Sequence, residues 1–326
     1  MKNRLGRRSF GRAAAVATAT AILPRTTAAQ GFPNRPFKFI VAFGAGSATD
    51  ITARTVAQEF TTRTGQPVVI ENRPGAEGQI AAQAAAGAAP DGYTLFVTTQ
   101  TTQAANIHIY KSLAYDPVKS FVPVSGLSRG AQVVMVRNDL PARSIAELVA
   151  LAKAQPGKLT FASGNGSSRA GGELFKIMAK VDMVNVPYRA QPQAVADLMG
   201  GRIDVVFSDF FVGLPPVKDG RARGIAVTSR ERTPGLEEFP TVHETLPGFE
   251  MWAWTATYAP AGTPGPVVAR LSQLVREATQ SEAYRTLTRT THGIVFSGTS
   301  EELAAFQASE MRKWGEIVAA AGMREP

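Results

Sequence analysis

The sequence predicts an α/β fold divided into two lobes, with mainly parallel sheets, and three observations support this. Apolar runs of strand length alternate with amphipathic helical segments along most of the chain. Two loops of small residues, at 43–49 and 163–169, each follow an apolar run and lead into a helical segment. The chain has 326 residues, which is more than a single hydrophobic core usually holds.

Local sequence features support each predicted element in the first half of the chain. Gly65 ends the first helix, whose apolar residues recur at helical spacing. Ser144 and Glu147 form a capping box at the start of a later helix. In order, the predicted elements are a strand at 39–42, a helix through 53–60, a strand at 68–70, a helix at 81–86, a strand at 93–97, a helix at 145–154 and a strand at 159–162.

The second half continues the alternation. Pro264 stands in the first turn of a predicted helix, where proline is favoured. Thr299 and Glu302 form another capping box. The remaining predicted elements are a helix after residue 166, strands at 184–187 and 203–207 with a helix at 194–199 between them, and helices that begin near 263 and 299.

We see no repeat and no low-complexity linker, so extended crossings are expected to join the lobes. The predicted first lobe combines residues 30–125 with 226–326. The second lobe, inserted between these two parts, is predicted at 126–225. Hinges are expected near 122–134 and 222–229.

The first small-residue loop is the most informative segment. Residues 43–54 are Phe-Gly-Ala-Gly-Ser-Ala-Thr-Asp-Ile-Thr-Ala-Arg. Small residues let a ligand approach the backbone, and the free N–H groups at the start of the following helix point towards it. The helix dipole adds a partial positive charge. The loop therefore predicts a site for a small anion; the alternative is a tight turn capped by Asp50.

The second loop, at 163–169, is built in the same way and also opens into a helix. Two such loops on separate α/β units would form a clamp at the carboxyl ends of the strands. Residues 98–103, Thr-Thr-Gln-Thr-Thr-Gln, offer hydroxyls and amides to the same ligand, or else form a solvated loop. Arg169 and Arg189 could each pair with a carboxylate or lie at the surface.

Five aromatic residues of the second half are assigned to the core by default, although one or two could wall an aromatic ligand. They are Phe207, Phe210, Phe211, Trp252 and Trp254.

Signals for catalysis are poor. Neither glycine-rich loop completes a dinucleotide or phosphate fingerprint. Residues 166–170 come close to the hydrolase pattern Gly-x-Ser-x-Gly around Ser168, but the histidines that a triad would need carry no local motif. These are His108, His243 and His292. Cysteine is absent, which excludes thiol catalysis, disulfides and cysteine-ligated metals. We expect no cofactor and no metal.

The first 29 residues have the layout of an export signal, with a basic start, an apolar run at 13–23 and small residues at 26–29. Residues 7–10, Arg-Arg-Ser-Phe, match the twin-arginine pattern. We expect cleavage near Ala29. The segment holds six basic residues and no acid, so the net charge falls from +9 to +3 without it. The remaining chain has no basic cluster, which argues against nucleic-acid binding.

Several stretches spread over the whole chain after residue 30 carry a resemblance to a known family. They are residues 71–76, 90–95, 115–117, 152–159, 186–188, 197–201 with Asp204, 226–229, 240–242 and 259–264. Each is weak alone. Together and in this order, they resemble the periplasmic solute receptors of tripartite tricarboxylate transporters, the Bug family.

The resemblance implies a two-lobed periplasmic-binding fold of type II, the Venus-flytrap fold, which closes over a small and usually carboxylated solute. In the family, the two loops hold a carboxylate through backbone N–H groups, hydroxyls and ordered waters. The ligand-binding candidates in this sequence are Phe43, Gly44, Ala45, Gly46, Ser47, Thr49, Asp50, Thr99, Gln100, Thr101, Ser163, Asn165, Ser167, Ser168, Arg169, Tyr188, Arg189, Ala190 and Asp209.

Some positions depart from the family pattern. Arg169 stands where a histidine is common, and Ser208 stands where an aspartate is frequent, although Asp209 follows it. Arg189-Ala190 replaces the usual Lys-Gly, and Ser47 replaces a glycine. Losing an acid and gaining a guanidinium favours anions over ligands with a free amine. We therefore expect a carboxylate without an amino group, with aromatic acids among the candidates.

The expected function is that of an exported monomeric receptor. It would capture a small organic carboxylate between its lobes, deliver it to integral-membrane transporter subunits, and catalyse nothing. Two alternatives remain open: a secreted serine hydrolase that uses Ser168, and a ligand-sensing protein that serves a signalling partner.

Overall fold

The computed structural model describes residues 31–324, in which strands and helices alternate along the chain. The expected export signal at 1–29 lies outside the described residues. Within 31–324, no helix is both long and apolar enough to cross a bilayer.

The strands and helices are numbered in chain order. The strands are β1 (Phe37–Val41), β2 (Val68–Asn72), β3 (Thr94–Thr99), β4 (Phe121–Gly130), β5 (Gln132–Val136), β6 (Thr160–Ser163), β7 (Val184–Pro187), β8 (Val205–Asp209), β9 (Arg223–Val227), β10 (Ala253–Pro260) and β11 (Ile294–Val295). The helices are α1 (Ala48–Thr64), α2 (Gln79–Ala86), α3 (Asn106–Ile109), α4 (Ile145–Ala154), α5 (Gly166–Ala179), α6 (Gln191–Met199), α7 (Phe210–Lys218), α8 (Val242–Thr245), α9 (Gly265–Thr279), α10 (Glu282–Thr290) and α11 (Ser300–Ala320). A 3₁₀ turn covers Ala76–Gly78, and a π-helical turn covers Thr101–Ala105.

The strands form two sheets, one for each lobe. The first has the order β11-β4-β10-β3-β1-β2, and the second has the order β7-β6-β8-β5-β9. In the first sheet, β1 pairs in parallel with β2 and β3; in the second, β6 pairs in parallel with β7 and β8. The remaining pairs are antiparallel, so both sheets are mixed rather than mainly parallel.

The antiparallel pairs involve strands next to the places where the chain passes between the sheets. Strand β4 ends at Gly130 in the first sheet and β5 begins at Gln132 in the second, so Ala131 alone separates them. The chain returns between β9, which ends at Val227, and β10, which begins at Ala253. A strand that enters a sheet from the other lobe runs antiparallel to its neighbours. Each sheet therefore contains both parallel and antiparallel pairs.

The parallel strands lead directly into the helices that matter for the site. Strand β1 precedes α1, β6 precedes α5, β7 precedes α6 and β8 precedes α7. In α1, the Ser47 side chain accepts a hydrogen bond from the Asp50 amide, and Gly65 ends the helix with φ 70°. A positive φ of this kind is accessible to glycine at little cost. The sequence-predicted end of this helix is confirmed.

Aromatic side chains fill the core on each side. Phe60 of α1 meets Phe37 and Phe39 of β1 edge-on, with ring centroids 5.4 and 5.2 Å apart. Beside the second sheet, Phe175 of α5 packs against Phe207 of β8 at 6.0 Å. Burying a Phe side chain contributes about 1.5–3 kcal/mol. These contacts hold the helices that carry the site loops onto their sheets.

The predicted strands and helices are all present, with ends shifted by a few residues. The extended crossings that were predicted to join the lobes contain β4 and β9. Strands β5, β10 and β11 and helices α3, α7, α8 and α10 were not predicted. The capping box at Thr299 and Glu302 forms in full. At Ser144, the side chain accepts the Glu147 amide as predicted, but the Glu147 carboxylate accepts the Arg143 amide.

Candidate functional site

Four helices begin around one small cavity, which we call the amide cavity. It takes one wall from the loop between β1 and α1 and the other from the starts of α5, α6 and α7. Its lining residues are Phe43, Ser47, Ala48, Thr49, Gly164, Asn165, Ala190, Gln191, Pro192, Asp209 and Val212. The two small-residue loops singled out in the sequence therefore share one cleft.

The helix starts leave backbone donors at this cavity. The amides of Ala48 and Thr49, in the first turn of α1, donate to no acceptor within residues 31–324. Ala190 precedes α6 without a capping side chain, and Pro192 stands in the first turn. Each helix start also carries the positive end of a helix dipole. The cavity therefore favours a small anion.

Within the second lobe, the loop before α5 and the start of α6 approach each other closely. A Cβ atom at Gly164 would collide with the backbone of Gln191 and Ala190. The Gln191 Oε1 atom accepts the Asp209 amide at 3.0 Å, while its Nε2 atom is buried with no partner among the described residues. This side-chain amide adds a free donor beside the backbone donors.

Asp50 organizes the first loop and does not line either cavity described here. Its carboxylate accepts hydrogen bonds from the Gly46 amide at 2.9 Å, from Arg54 Nε at 3.0 Å and from Asn72 Nδ2 at 2.9 Å. Burial acts to raise the pKa of Asp50, but these bonds outweigh it and lower the pKa. Ser47 caps α1, while Asp50 caps the preceding turn through the Gly46 amide, as the alternative reading of the loop expected.

Ser168 has a similar role in the second loop. Its hydroxyl accepts the amides of Gly164 and Asn165 at 2.9 and 3.2 Å, and donates to the Asn165 carbonyl. Asn165 in turn caps α5 by accepting the Ser168 amide at 2.9 Å. The Ser168 side chain is fully buried. In the described part of the chain, no hydrogen bond joins it to a histidine.

Asp209 is the acid at the cleft, at the end of β8. Its carboxylate accepts Gln132 Nε2 at 3.3 Å and Asn165 Nδ2 at 3.1 Å. Although Asp209 reaches both cavities, it is packed deeply enough that burial raises its pKa, and the amide donors offset this only in part. No ion pair to Asp209 occurs within residues 31–324. The charged form is therefore disfavoured at this position.

A second cavity of about 90 Å³ opens beside the first. We call it the adjoining cavity. It shares Ala48, Thr49, Asn165 and Asp209 with the amide cavity and extends from there to α10. Its further lining residues include Ile51, Thr52, Thr99, Gln100, Ser128, Arg129, Ser167, Phe210, Phe211, Trp254, Tyr284, Leu287, Thr288 and Thr291. Three of the five aromatic residues considered as ligand walls thus line this cavity, while Phe207 lies in the core.

Residues 98–103 are entirely buried, so the alternative of a solvated loop is wrong. Thr99 and Gln100 line the adjoining cavity. Gln100 Oε1 also accepts the Trp254 amide at 2.8 Å, which fixes its side chain. The Thr101 hydroxyl accepts the Gly166 amide from the opposite lobe at 3.2 Å.

Other predicted contact residues lie outside both cavities. The Ser163 hydroxyl donates to Asn185, and the Tyr188 hydroxyl donates to Asp197 at 2.8 Å. Arg189 is exposed. Arg169 follows Ser167 by two positions, which is about 200° around a helix, and Ser167 is the residue that faces the cleft. Gly44, Ala45 and Gly46 shape the first loop without lining a cavity. Neither Arg169 nor Arg189 lines either cavity, so the expectation of an anionic ligand gains no support from these two guanidinium groups.

Sequence reasoning missed the residues that α10 and the crossing strand contribute. Tyr284, Leu287 and Thr288 line the adjoining cavity from α10, and residues 128–131 line it from the end of β4. Neither segment has a loop of small residues or a motif, so the sequence contains no local signal for them. No group of three or more His, Cys, Asp or Glu side chains suitable for a metal occurs in the part of the chain that the structure describes.

Comparison with known proteins gives a consistent result. A family described as "Tripartite tricarboxylate transporter family receptor" matches residues 52–323. The protein BugT of Bordetella pertussis is 31% identical over 310 residues, which cover 94% of this chain and 95% of BugT.

Two solved structures share the fold. The R. palustris protein Rpa4515 with adipate has a TM-score of 0.86 at 31% identity, covering 89% of this chain and 98% of that chain. The periplasmic binding protein BugD has a TM-score of 0.85 at 29% identity, covering 90% of this chain and 100% of that chain.

Proposed function

Because the chain belongs to the receptor family of tripartite tricarboxylate transporters, we propose that it is a periplasmic receptor that holds a small organic carboxylate between its two lobes. The family consists of solute receptors. The periplasmic location is supported by the twin-arginine export pattern of the first 29 residues and by the likeness to BugD.

The main support for a carboxylate ligand is that four helices begin at the amide cavity. Unbonded amides of Ala48 and Thr49 and the free Nε2 of Gln191 can each donate to a carboxylate oxygen. Hydrogen bonds to a charged group are worth about 1.5–3 kcal/mol each. A few of them, less the cost of closing the lobes, supply the roughly 8 kcal/mol of a micromolar complex. The adipate in the structure of Rpa4515 is a carboxylate of this kind.

Among residues 31–324, no lysine or arginine lines the amide cavity. The carboxylate is therefore held by neutral donors and helix dipoles instead of an ion pair. Such a site discriminates by geometry, because each oxygen must meet fixed N–H groups. We propose a ligand without an amino group, since the acid at hand, Asp209, already accepts two side-chain amides and its charged form is disfavoured.

The proposed lobes are residues 30–125 with 226–326, and residues 126–225. The passage at Ala131 and the bridge from Val227 to Thr241 lie near the expected hinges. Because β4 stays in the first sheet to Gly130 and β9 in the second to Val227, we propose boundaries a few residues later than 125/126 and 225/226. A ligand stabilises the closed arrangement only through contacts that it makes with both lobes. The closed receptor would then present its solute to membrane subunits of the transporter.

Titration calorimetry on the chain lacking residues 1–29 tests the proposal. The ligands are adipate, malate, benzoate, phenylacetate, aspartate and glutamate at pH 7. We expect at least one acid without an amino group to bind near micromolar Kd, and aspartate and glutamate to bind at least tenfold more weakly. Preference for a free amino acid would overturn the ligand class, and failure of every carboxylate would overturn the site.

A further inference from the structure

Tyr284 of α10 presents a hydroxyl group without a partner at the adjoining cavity. The side chain is 0% exposed, and its hydroxyl makes no hydrogen bond within residues 31–324. The Ser128 hydroxyl lies nearby and opposes the rise in pKa that burial causes at Tyr284. It is engaged with Thr255 Oγ1 at 2.9 Å, however, and makes no bond of good geometry to Tyr284.

An unpaired hydroxyl in this position has a cost and no structural benefit. Leaving a buried polar group unsatisfied costs about 1–3 kcal/mol, and a phenylalanine would fill the same space without that cost. The neighbouring hydroxyls on α10 are already committed, because Thr288 and Thr291 donate to backbone carbonyls of their own helix. The Tyr284 hydroxyl is therefore a free donor on the α10 side of the cavity.

From this arrangement we propose that Tyr284 binds a neutral hydrogen-bonding group, a hydroxyl or a keto oxygen, on the ligand whose carboxylate lies in the amide cavity. The inference rests on the proposed function and narrows its ligand class. The ligand would be a hydroxy- or oxo-carboxylic acid with an apolar body. Its body would lie against Phe210, Phe211 and Trp254, which line the adjoining cavity.

The charges around the cavity favour a neutral distal group over a second carboxylate. The charged side chains that line the adjoining cavity are Arg129 and Asp209. Asp209 lies at the end shared with the amide cavity. The Arg129 guanidinium lies 5.6 Å from the Trp252 ring and 5.9 Å from the Phe296 ring, and neither ring lines this cavity. Arg129 lines the cavity, but its guanidinium is engaged with these two rings outside it, and Tyr284 offers a neutral donor.

Matched ligand pairs test the assignment. Titration calorimetry compares hexanoate, 6-hydroxyhexanoate and adipate, and phenylacetate with 4-hydroxyphenylacetate and 4-oxo-4-phenylbutanoate, for the wild type and Tyr284→Phe. We expect the wild type to prefer the hydroxyl or keto member of at least one series by about 2- to 12-fold, the range of one neutral hydrogen bond. Tyr284→Phe should abolish that preference and leave the affinity for the unsubstituted acid within twofold.

Tyr258→Phe is the matched control. Tyr258 of β10 is also 0% exposed with an unpartnered hydroxyl, but it lines neither cavity. Its substitution should leave every preference unchanged. Both variants lose only a buried unpaired hydroxyl, so both should fold.

The outcomes separate the two proposals. If carboxylates bind but no neutral substituent is preferred, if adipate is preferred over 6-hydroxyhexanoate, or if Tyr284→Phe keeps the preference, the role of Tyr284 is overturned and the receptor function stands. If no carboxylate binds the wild type, the proposed function itself fails.

Discussion

The amide nitrogen of Gly166 donates to the Thr101 hydroxyl across the cleft, at 3.2 Å. Gly166 is the first residue of α5 beside the second sheet, and Thr101 is the first residue of the π-helical turn beside the first sheet. A Cβ atom at position 166 would lie 2.5 Å from Thr101 Oγ1 and 3.0 Å from its Cγ2. The closed cleft therefore requires glycine at this contact.

We expect Gly166→Ala to weaken ligand binding at least tenfold, because the added methyl group prevents the two lobes from closing fully. The free energy of unfolding should change by less than about 1 kcal/mol, since alanine is favoured over glycine in a helix. Calorimetry gives the affinity, and small-angle X-ray scattering gives the radius of gyration with and without ligand.

Gly44→Ala is the control for this experiment. Gly44 lies in the first loop, and a Cβ atom there meets nothing within 4 Å. That variant should bind as the wild type does. A Gly166→Ala protein that contracts on ligand binding as much as the wild type would contradict the role of this contact.

A backbone substitution tests whether the amide of Ala48 holds the ligand. Ala48 is the first residue of α1, where proline is tolerated. Ser47 before it has φ −70° and ψ 158°, a conformation that a following proline accepts. Ala48→Pro therefore removes one N–H group and leaves the helix intact. With one charged hydrogen bond worth about 1.5–3 kcal/mol, affinity for the carboxylate should fall roughly 10- to 100-fold.

Ala48→Val adds comparable bulk and keeps the N–H group, so it serves as the matched control. Calorimetry should show the large loss for proline alone. Equal losses in both variants would attribute the effect to side-chain volume and remove this amide from the site.

The sequence predicted the half of the site that depends on local patterns. A strand followed by small residues and the start of a helix can be recognised in the sequence. This pattern predicted the cavity-lining residues Ser47, Thr49 and Asn165. The sequence also pointed to the aromatic residues Phe210 and Trp254, which could be core or cavity wall on sequence grounds. Which of the two applies depends on tertiary contacts.

The other half could not be predicted because it depends on how distant segments meet. Tyr284 lies on a helix without a motif, and the structure alone brings it to the cavity. Arg169 was expected at the ligand because guanidinium groups suit carboxylates, but the helical turn after Ser167 directs position 169 elsewhere. Asp50 and Ser168 were expected as contacts, and their polar atoms are used within their own loops.

Asp50 and Asp209 give opposite dependences of stability on pH. The pKa of Asp50 is lowered in the folded state, so its contribution is present above pH 3.8 and is lost as the pH falls through the folded value. The pKa of Asp209 is raised, so the folded state binds its proton more tightly than the unfolded state. Its contribution is greatest below pH 3.8 and is lost as the pH rises through the folded value.

Urea unfolding of Asp50→Asn and Asp209→Asn between pH 3 and 8 checks these signs. Relative to the wild type, Asp50→Asn should be least stable at neutral pH and should approach the wild type on acidification. Asp209→Asn should gain relative stability as the pH rises above 4. The same direction in both variants would contradict the assignment.

Removing the charge of Asp209 should also strengthen carboxylate binding at neutral pH. The carboxylate of Asp209 borders the cavity in which the ligand carboxylate is proposed to lie, and two like charges at one site repel each other. We expect Asp209→Asn to bind the acid about tenfold more tightly at pH 8, with a smaller gain at pH 5, where Asp209 takes up a proton more readily. Calorimetry at the two pH values measures this difference. A loss of affinity at both would show instead that the carboxylate of Asp209 positions Asn165 and Gln132 for binding.

Ser168 distinguishes a receptor from a hydrolase. Its hydroxyl satisfies the amides of Gly164 and Asn165 inside the loop, so Ser168→Ala should cost about 1–3 kcal/mol of stability by leaving buried donors unpaired. Affinity should fall because the second loop loses its shape, and Ser168→Thr, which keeps the hydroxyl, should recover part of it. Incubation with p-nitrophenyl acetate and butyrate should give the same background rate for wild type and variants. Turnover by the wild type that Ser168→Ala abolishes would establish the hydrolase and overturn the receptor as the sole activity.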